Sequence, residues 1–142
     1  MKDKILIVED NPQNMLVIEM SLKNRGYTLL KATDGEEALE TAMRELPDLI
    51  LMDVQLPVMN GLAVTRLLRK MPATYNTLII GMTAYAMTGD KEKVIKAGCN
   101  TYLSKPFRPR RLREMVAEML SERQRESHSL EGDNHEQENT SH

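Results

Sequence analysis

Tryptophan is absent from this 142-residue chain, cysteine occurs once, and no histidine precedes His128. A single cysteine, Cys99, excludes an internal disulfide, points to the cytosol, and reads most simply as a small buried hydrophobe. The missing histidines exclude a histidine general base, or a histidine phosphoryl relay on this chain, from residues 1–127. No apolar run approaches the ~20 residues of a membrane-spanning helix. The opening Met1-Lys2-Asp3-Lys4 leads straight into a short strand-like run, which argues against a cleaved signal peptide.

What is present suits one globular domain. The chain is 41% hydrophobic and 28% charged, and its length leaves room for one sizeable core and hardly for two. Net charge is −2 but unevenly placed: residues 1–122 hold 17 Lys/Arg against 16 Asp/Glu, while residues 123–142 hold 2 against 5. That last stretch contains His128, His135 and His142 and almost nothing apolar. It is expected to be a disordered, solvated tail, with at most weak metal ligation by its histidines.

Strand-like and helix-like segments alternate over residues 1–122. The runs "KILIVED" (4–10), "YTLLKA" (27–32), "DLILMD" (48–53), "TLIIGMT" (77–83) and "TYLSK" (101–105) read as strands. Between them lie helical patterns. The first opens at Asp10 or Asn11 with Pro12 and ends by Gly26; the second follows Asp34 and stops at Pro47. The third opens at Asn60-Gly61, the fourth covers about Met87–Ala97, and the fifth starts at Pro109 with a clean stripe of Leu112, Met115, Val116, Met119 and Leu120. Five β–α units in series predict an α/β fold: a doubly wound, five-stranded parallel sheet flanked by five helices. Helices on both faces account for strands that are apolar throughout. The fourth helix has few apolar residues, chiefly Val94, Ile95 and Ala97, and is expected to hold the core weakly and to move most readily.

The segment "LILMDVQLPVMNG" (49–61) sets the functional question, because an apolar strand runs directly into Asp53. Taken alone, Asp53 reads as a turn residue. In an open parallel sheet, however, ligands bind beyond the carboxyl ends of the strands. Those ends carry Glu9-Asp10, Asp53, Thr83-Ala84 and Lys105-Pro106. With the common strand order 2-1-3-4-5, three carboxylates, a hydroxyl and an ammonium meet at one rim. Clustered carboxylates repel, and a hard cation such as Mg²⁺ resolves the conflict. Together with Thr83 and Lys105, this is equipment for phosphoryl transfer, with Asp53 as a nucleophile that becomes an aspartyl phosphate.

Four stretches, "ILIVEDNPQN", "LILMDVQLPVMNG", "MTAYA" and "YLSKPF", closely resemble the receiver domain of two-component response regulators, over residue 3 to about 120. The resemblance implies the flavodoxin-like fold typified by chemotaxis receivers. It implies a cytoplasmic signalling phosphoprotein, not an enzyme, which supports only its own phosphorylation and slow autodephosphorylation. Asp53 then looks like the acceptor of a phosphoryl group from a histidine kinase or a histidine phosphotransfer protein. Glu9 and Asp10 resemble the acidic pair that binds Mg²⁺ or Mn²⁺ with Asp53, the Gln55 backbone carbonyl being a further ligand. Glu9 departs from a strict Asp-Asp pair, and its longer side chain is expected to reach the metal through water. Thr83 resembles the hydroxyl that binds the phosphoryl group, and Lys105 the lysine that pairs with it. Tyr102 stands where the family places a switch aromatic, and reads equally as a partly buried strand tyrosine. The resemblance also implies a cis Lys105-Pro106 bond. Gln55 and Tyr85, each two residues beyond a site residue, are candidates for setting the phosphoryl lifetime.

Nothing resembling an output domain follows the fifth helix, so the chain is expected to be a stand-alone receiver (residues 1–122), similar to chemotaxis and cell-division single-domain regulators. Phosphorylation would switch the face formed by the fourth helix, fifth strand and fifth helix, for a phospho-dependent protein partner. That face carries Lys91, Lys93, Lys96, Arg108, Arg110, Arg111 and Arg113. It reads first as a solvated surface, then as a site for an acidic partner; DNA binding is not expected, since no reader helix is recognisable. Two rival functions remain. A phosphatase of the haloacid-dehalogenase type carries a second acid two residues after its nucleophile, where this chain has Gln55. A flavodoxin-like FMN carrier needs a phosphate-binding first loop, and "EDNPQN" repels phosphate.

Overall fold

The computed structural model describes residues 2–84 and 89–140, with side chains to Glu126. The elements are β1 (Lys4–Val8), α1 (Pro12–Leu22), β2 (Thr28–Ala32), α2 (Gly35–Glu45), β3 (Leu49–Asp53), α3 (Gly61–Lys70), β4 (Leu78–Thr83), α4 (Asp90–Ala97), β5 (Thr101–Ser104) and α5 (Pro109–Thr140). All strand pairs are parallel, in the order β2-β1-β3-β4-β5. This is the topology expected from five β–α units in series.

The central strands divide their side chains between two cores. Ile5, Ile7, Leu49, Leu51, Ile80 and Met82 point to one face, where Ile18 and Leu22 of α1 and Leu112 and Val116 of α5 meet them. Leu6, Val8, Ile50, Met52 and Ile79 point to the other, against Ala38 and Ala42 of α2, Val64 and Leu68 of α3, and Val94 of α4. Strand geometry alternates the faces, so a strand covered on both sides must be apolar at every position. Each large side chain removed from water this way contributes roughly 1.5–3 kcal/mol. β3 is buried at all five positions, including Asp53.

Helix starts follow local chemistry. Asn11, not Asp10, caps α1: its side chain accepts from Gln13 N at 2.9 Å and Asn14 N at 3.0 Å. Asp10 is thereby left for the rim. Asp34 caps α2 by accepting from Glu37 N at 2.8 Å, and Asn60 caps α3 by accepting from Ala63 N at 2.9 Å. α1 ends at Leu22, short of Gly26, because Asn24 already turns the chain with φ 62°. α4 has no side-chain cap: Gly89 precedes it at φ 88°, and only Val94 and Ala97 of the helix are buried. Its sparse attachment matches the sparse apolar content of its sequence. Met87, expected near its start, lies outside the described residues.

The C-terminal boundary differs from expectation. α5 passes residue 122 and continues as helix through Thr140, where a disordered tail was expected. Ser-Glu-Arg-Gln-Arg-Glu is a run of mostly strong helix formers attached to a helix already nucleated and packed, so extension costs little. Arg123 also ties this region to the body, donating from Nη1 to the Asp48 carbonyl at 2.9 Å. A chain ending after Glu122 is therefore expected to unfold about 1 kcal/mol more easily than one ending after Glu126, as read by urea denaturation; equal midpoints would remove Arg123 from the fold's account.

Candidate functional site at the carboxyl rim of the sheet

Parallel pairing of β1, β3, β4 and β5 brings their last residues to one edge, because register aligns Val8 with Met52 and Asp53 with Met82. Glu9 follows β1 and stays aligned with the sheet through its N–H, which donates to the Ala32 carbonyl at 3.0 Å. Lys105 follows β5 and is held the same way, its N–H donating to the Thr83 carbonyl at 2.8 Å. The Lys105-Pro106 peptide is cis, as the resemblance implied.

The charged groups expected to converge do so. Lys105 Nζ lies 2.9 Å from Glu9 Oε1 and 3.3 Å from Asp53 Oδ2. Glu9 is 1% exposed and Asp53 2%, whereas Asp10 faces solvent. Carboxylate oxygens of Glu9, Asp10 and Asp53 all lie within 4.8 Å of one another. Glu9 Oε2 accepts from Asn11 N at 3.2 Å, and Asp53 Oδ1 accepts from Gln55 N at 3.0 Å. Burial, and then the carboxylate of Asp53 beside it, push Glu9 up to about 7, against the opposing pull of Lys105. Burial pulls the Lys105 ammonium down, but the hydrogen bond to Glu9 and the charges of Asp53 and Glu9 outweigh it, and its pKa is raised.

This donor set fits a hard divalent cation. Three carboxylates cluster here while one ammonium, Lys105, pairs with two of them, Glu9 and Asp53, leaving an excess of negative charge partly out of water, and every donor is an oxygen. Glu9 is the residue whose placement differs in kind from a simple ligand: both its oxygens already hold protein donors. Its direct engagement is with Lys105, which suits a ligand acting at one remove.

Thr83 is fully buried at the end of β4, and its hydroxyl accepts from Gln55 Nε2 at 3.3 Å. Tyr102 is half-buried on β5, with the Lys91 ammonium 5.2 Å from its ring centroid, an attractive cation–π arrangement. Tyr85 lies outside the described residues. Cys99 is buried and burial raises its thiol pKa, as for an inert core cysteine.

Two features of the β3–α3 connection were not read from the sequence. A Cβ at Gly61 would collide with the Asp53 carbonyl oxygen, and Gly61 N–H donates to the Val54 carbonyl at 3.1 Å. Gly61 is therefore more than a helix start: it lets α3 press against the end of β3. Val58 sits at φ 67°, fully exposed, in a tight turn where Met59 N donates to the Pro57 carbonyl at 2.7 Å. A β-branched residue there costs about 1–3 kcal/mol. In the sequence Asn60-Gly61 signals only a helix start, since close backbone approach has no signature in composition.

The base of α4 is also anchored by polar contacts that sequence patterning leaves hidden. Arg69 donates from Nε to the Gly98 carbonyl at 2.8 Å and from Nη2 to Asn100 Oδ1 at 2.9 Å. Asn100 Oδ1 also accepts from Ile79 N at 2.8 Å. The C-terminal end of α4 is thus tied to α3 and β4, while at its N-terminal end Gly89 offers no side-chain cap bond among the described residues.

Comparison with known proteins gives a consistent relationship. The family described as response regulator receiver domain matches residues 5–117. The polar-differentiation response regulator DivK of Brucella anthropi is 38% identical over 122 residues, covering 86% of this chain and 99% of that protein. A crystal structure of a putative response regulator from Chloroflexus aurantiacus aligns with TM-score 0.81 and 34% identity, over 85% of this chain and 99% of that one. The receiver domain of the sensor histidine kinase PA1611 from Pseudomonas aeruginosa aligns with TM-score 0.76 and 41% identity, over 82% of this chain and 95% of that one, and contains a magnesium ion in its active-site cleft.

Two predictions follow from this geometry. Gly61→Ala should destabilise the fold by about 1–3 kcal/mol, since backbone must move to admit the methyl group; an unchanged denaturation midpoint would show that α3 can shift freely. The second concerns pH. Because the folded-state pKa of Glu9 is raised, its contribution to stability is complete below its ordinary value of 4.5 and is lost as pH rises through about 7. No histidine precedes His128, so few other side chains of the body titrate near neutrality. In chelator, stability should fall as pH rises from 4.5 through about 7, and millimolar Mg²⁺ should reduce that slope; a flat chelator profile would contradict the assignment.

Proposed function

This chain belongs to the response regulator receiver family and is a phosphoacceptor of two-component signalling; from that premise we propose that Asp53 is the residue that accepts the phosphoryl group. The observation that carries this reading is the position of Asp53, which ends the central strand with Lys105 at 3.3 Å and two further carboxylates alongside.

The chemistry is a transfer from a phosphohistidine on a kinase or phosphotransfer protein. An Asp53 carboxylate oxygen forms the new P–O bond as the P–N bond breaks. The electron pair stays on the imidazole nitrogen, which gains a proton from solvent. Gln55 N–H holds Asp53 Oδ1, orienting the carboxylate with Oδ2 toward Lys105. The Lys105 ammonium stabilises negative charge on the phosphoryl oxygens, and the Thr83 hydroxyl supplies a neutral partner at the neighbouring strand end. Mg²⁺, or Mn²⁺, held by Asp10, Asp53 and the Gln55 carbonyl with Glu9 in support, would supply the positive charge that lets a carboxylate approach a phosphoryl group.

The absence of a second acid at Gln55 supports a signalling acceptor with only slow autodephosphorylation, not a turnover phosphatase. Phosphorylation draws Thr83 toward the new charge, and Tyr102 turns inward, leaving its contact with Lys91. The face of α4, β5 and α5 then shifts in population between two packings. An uncapped α4 start above an anchored α4 base supports movement at that end. The output is a phospho-dependent protein partner, without direct DNA contact. Among the described residues no helix is long and apolar enough to cross a membrane, and we place the protein in the cytoplasm.

Incubation with acetyl phosphate and Mg²⁺ should add one phosphoryl group, located by mass spectrometry to the peptide containing Asp53. Asp53→Asn should abolish it, and so should chelation. Equal labelling of Asp53→Asn would move the acceptor elsewhere.

A further inference from the structure

The Gln55 side chain reaches across the rim to the residues that end β4. Its Nε2 lies 3.3 Å from Thr83 Oγ1, and Ala84 N lies 3.5 Å from its Oε1. The orientation of the amide is fixed by Ala84, whose N–H can only donate and must therefore face the carbonyl oxygen. The same residue's backbone N–H holds Asp53 Oδ1. One residue thus touches the acceptor carboxylate, the Thr83 hydroxyl and the first N–H beyond β4.

We propose that the Gln55 carboxamide is a resting-state latch, occupying Thr83 and Ala84 until a phosphoryl group on Asp53 displaces it. This rests on Asp53 being the acceptor. Register places Asp53 opposite Met82, so Thr83 and Ala84 are the next groups along the neighbouring strand. A phosphoryl oxygen arriving there needs donors, and the Ala84 N–H has one proton to give. While it is directed at Gln55 it is not available to phosphate. Both latch contacts are longer than the ~2.9 Å typical of a strong hydrogen bond. A bond to a charged phosphoryl oxygen is roughly twice as strong as one between neutral groups, so the exchange favours the phosphorylated arrangement. Gln55 is accordingly a positioning residue: it sets how much of the unphosphorylated protein already has the Ala84 N–H and the Thr83 hydroxyl turned away from the carboxamide.

The test uses the full chain with Gln55→Met, which keeps length and removes both polar atoms, and Gln55→Ala, which only trims the side chain. Both retain the backbone N–H and carbonyl at position 55. In the unphosphorylated variants, the amide signals of Thr83 and Ala84 should move toward the positions they take in wild-type protein saturated with beryllofluoride and Mg²⁺. The rate of Asp53 labelling by acetyl phosphate should rise roughly fivefold, the scale of losing one ordinary hydrogen bond. Thermal melting identifies which variants fold, and the trimmed side chain makes Gln55→Ala sufficient alone. Unmoved resting signals with labelling within twofold of wild type would overturn the latch. So would a change confined to the lifetime of the phosphorylated state, which would make Gln55 a shield against water only. Failure of wild-type protein to take label at Asp53 is a separate outcome, and it removes the acceptor reading as well as the latch built on it.

Discussion

Two carboxylates that are almost wholly out of water share a single ammonium, and the rest of the molecule is arranged around that constraint. Glu9 and Asp53 come from different strands, and Lys105 from a third. Burial, and then the neighbouring Asp53 carboxylate, push Glu9 up to about 7 against the pull of Lys105. The sheet supplies the rigidity that prevents the groups from moving apart. Five parallel strands buried between two helical layers leave the carboxyl edge as the place where buried backbone meets solvent, and polar side chains collect there. The site is therefore a charge imbalance held open by hydrophobic packing, which a divalent cation and a phosphoryl group together can satisfy.

Packing around the site is unequal in a useful direction. β3 is seated from both faces, and α3 is pressed onto its end so closely that only glycine fits at position 61. The turn before it keeps Val58 in a costly conformation, so the surrounding structure over-determines that loop. On the other side of Asp53 the attachment is light. α4 is fixed at its base through Arg69, Gly98 and Asn100, yet begins at an uncapped Gly89 with two buried side chains. Rigidity lies around Asp53, and compliance at the start of α4. The weak Gln55 contacts to Thr83 and Ala84 join the two regions.

Much of this was legible in order along the chain. The runs at residues 4–10, 48–53 and 77–83 marked central strands, because a strand covered on both faces cannot alternate. Helix caps at Asn11, Asp34 and Asn60 carry their own local chemistry. Glu9, Asp10, Asp53, Thr83 and Lys105 could be nominated jointly because each stands at a strand's end and the topology has few alternatives. What escaped was contact between elements: the close approach at Gly61, the Arg69 anchor, and the extension of α5 past Glu122, where Arg123 reaches Asp48 across 75 positions of sequence.

The sequence by itself determined the alternation of elements, the residues that bury and the chemical types gathered at the rim, since periodicity and capping are local properties. Tertiary structure alone decided their partners. It paired Glu9 with Lys105 within the acidic cluster, carried the Gln55 side chain across to Thr83, and set Lys91 beside Tyr102. Those choices depend on distances of a few ångströms between segments far apart in the chain, and such distances are fixed only when the whole core is packed.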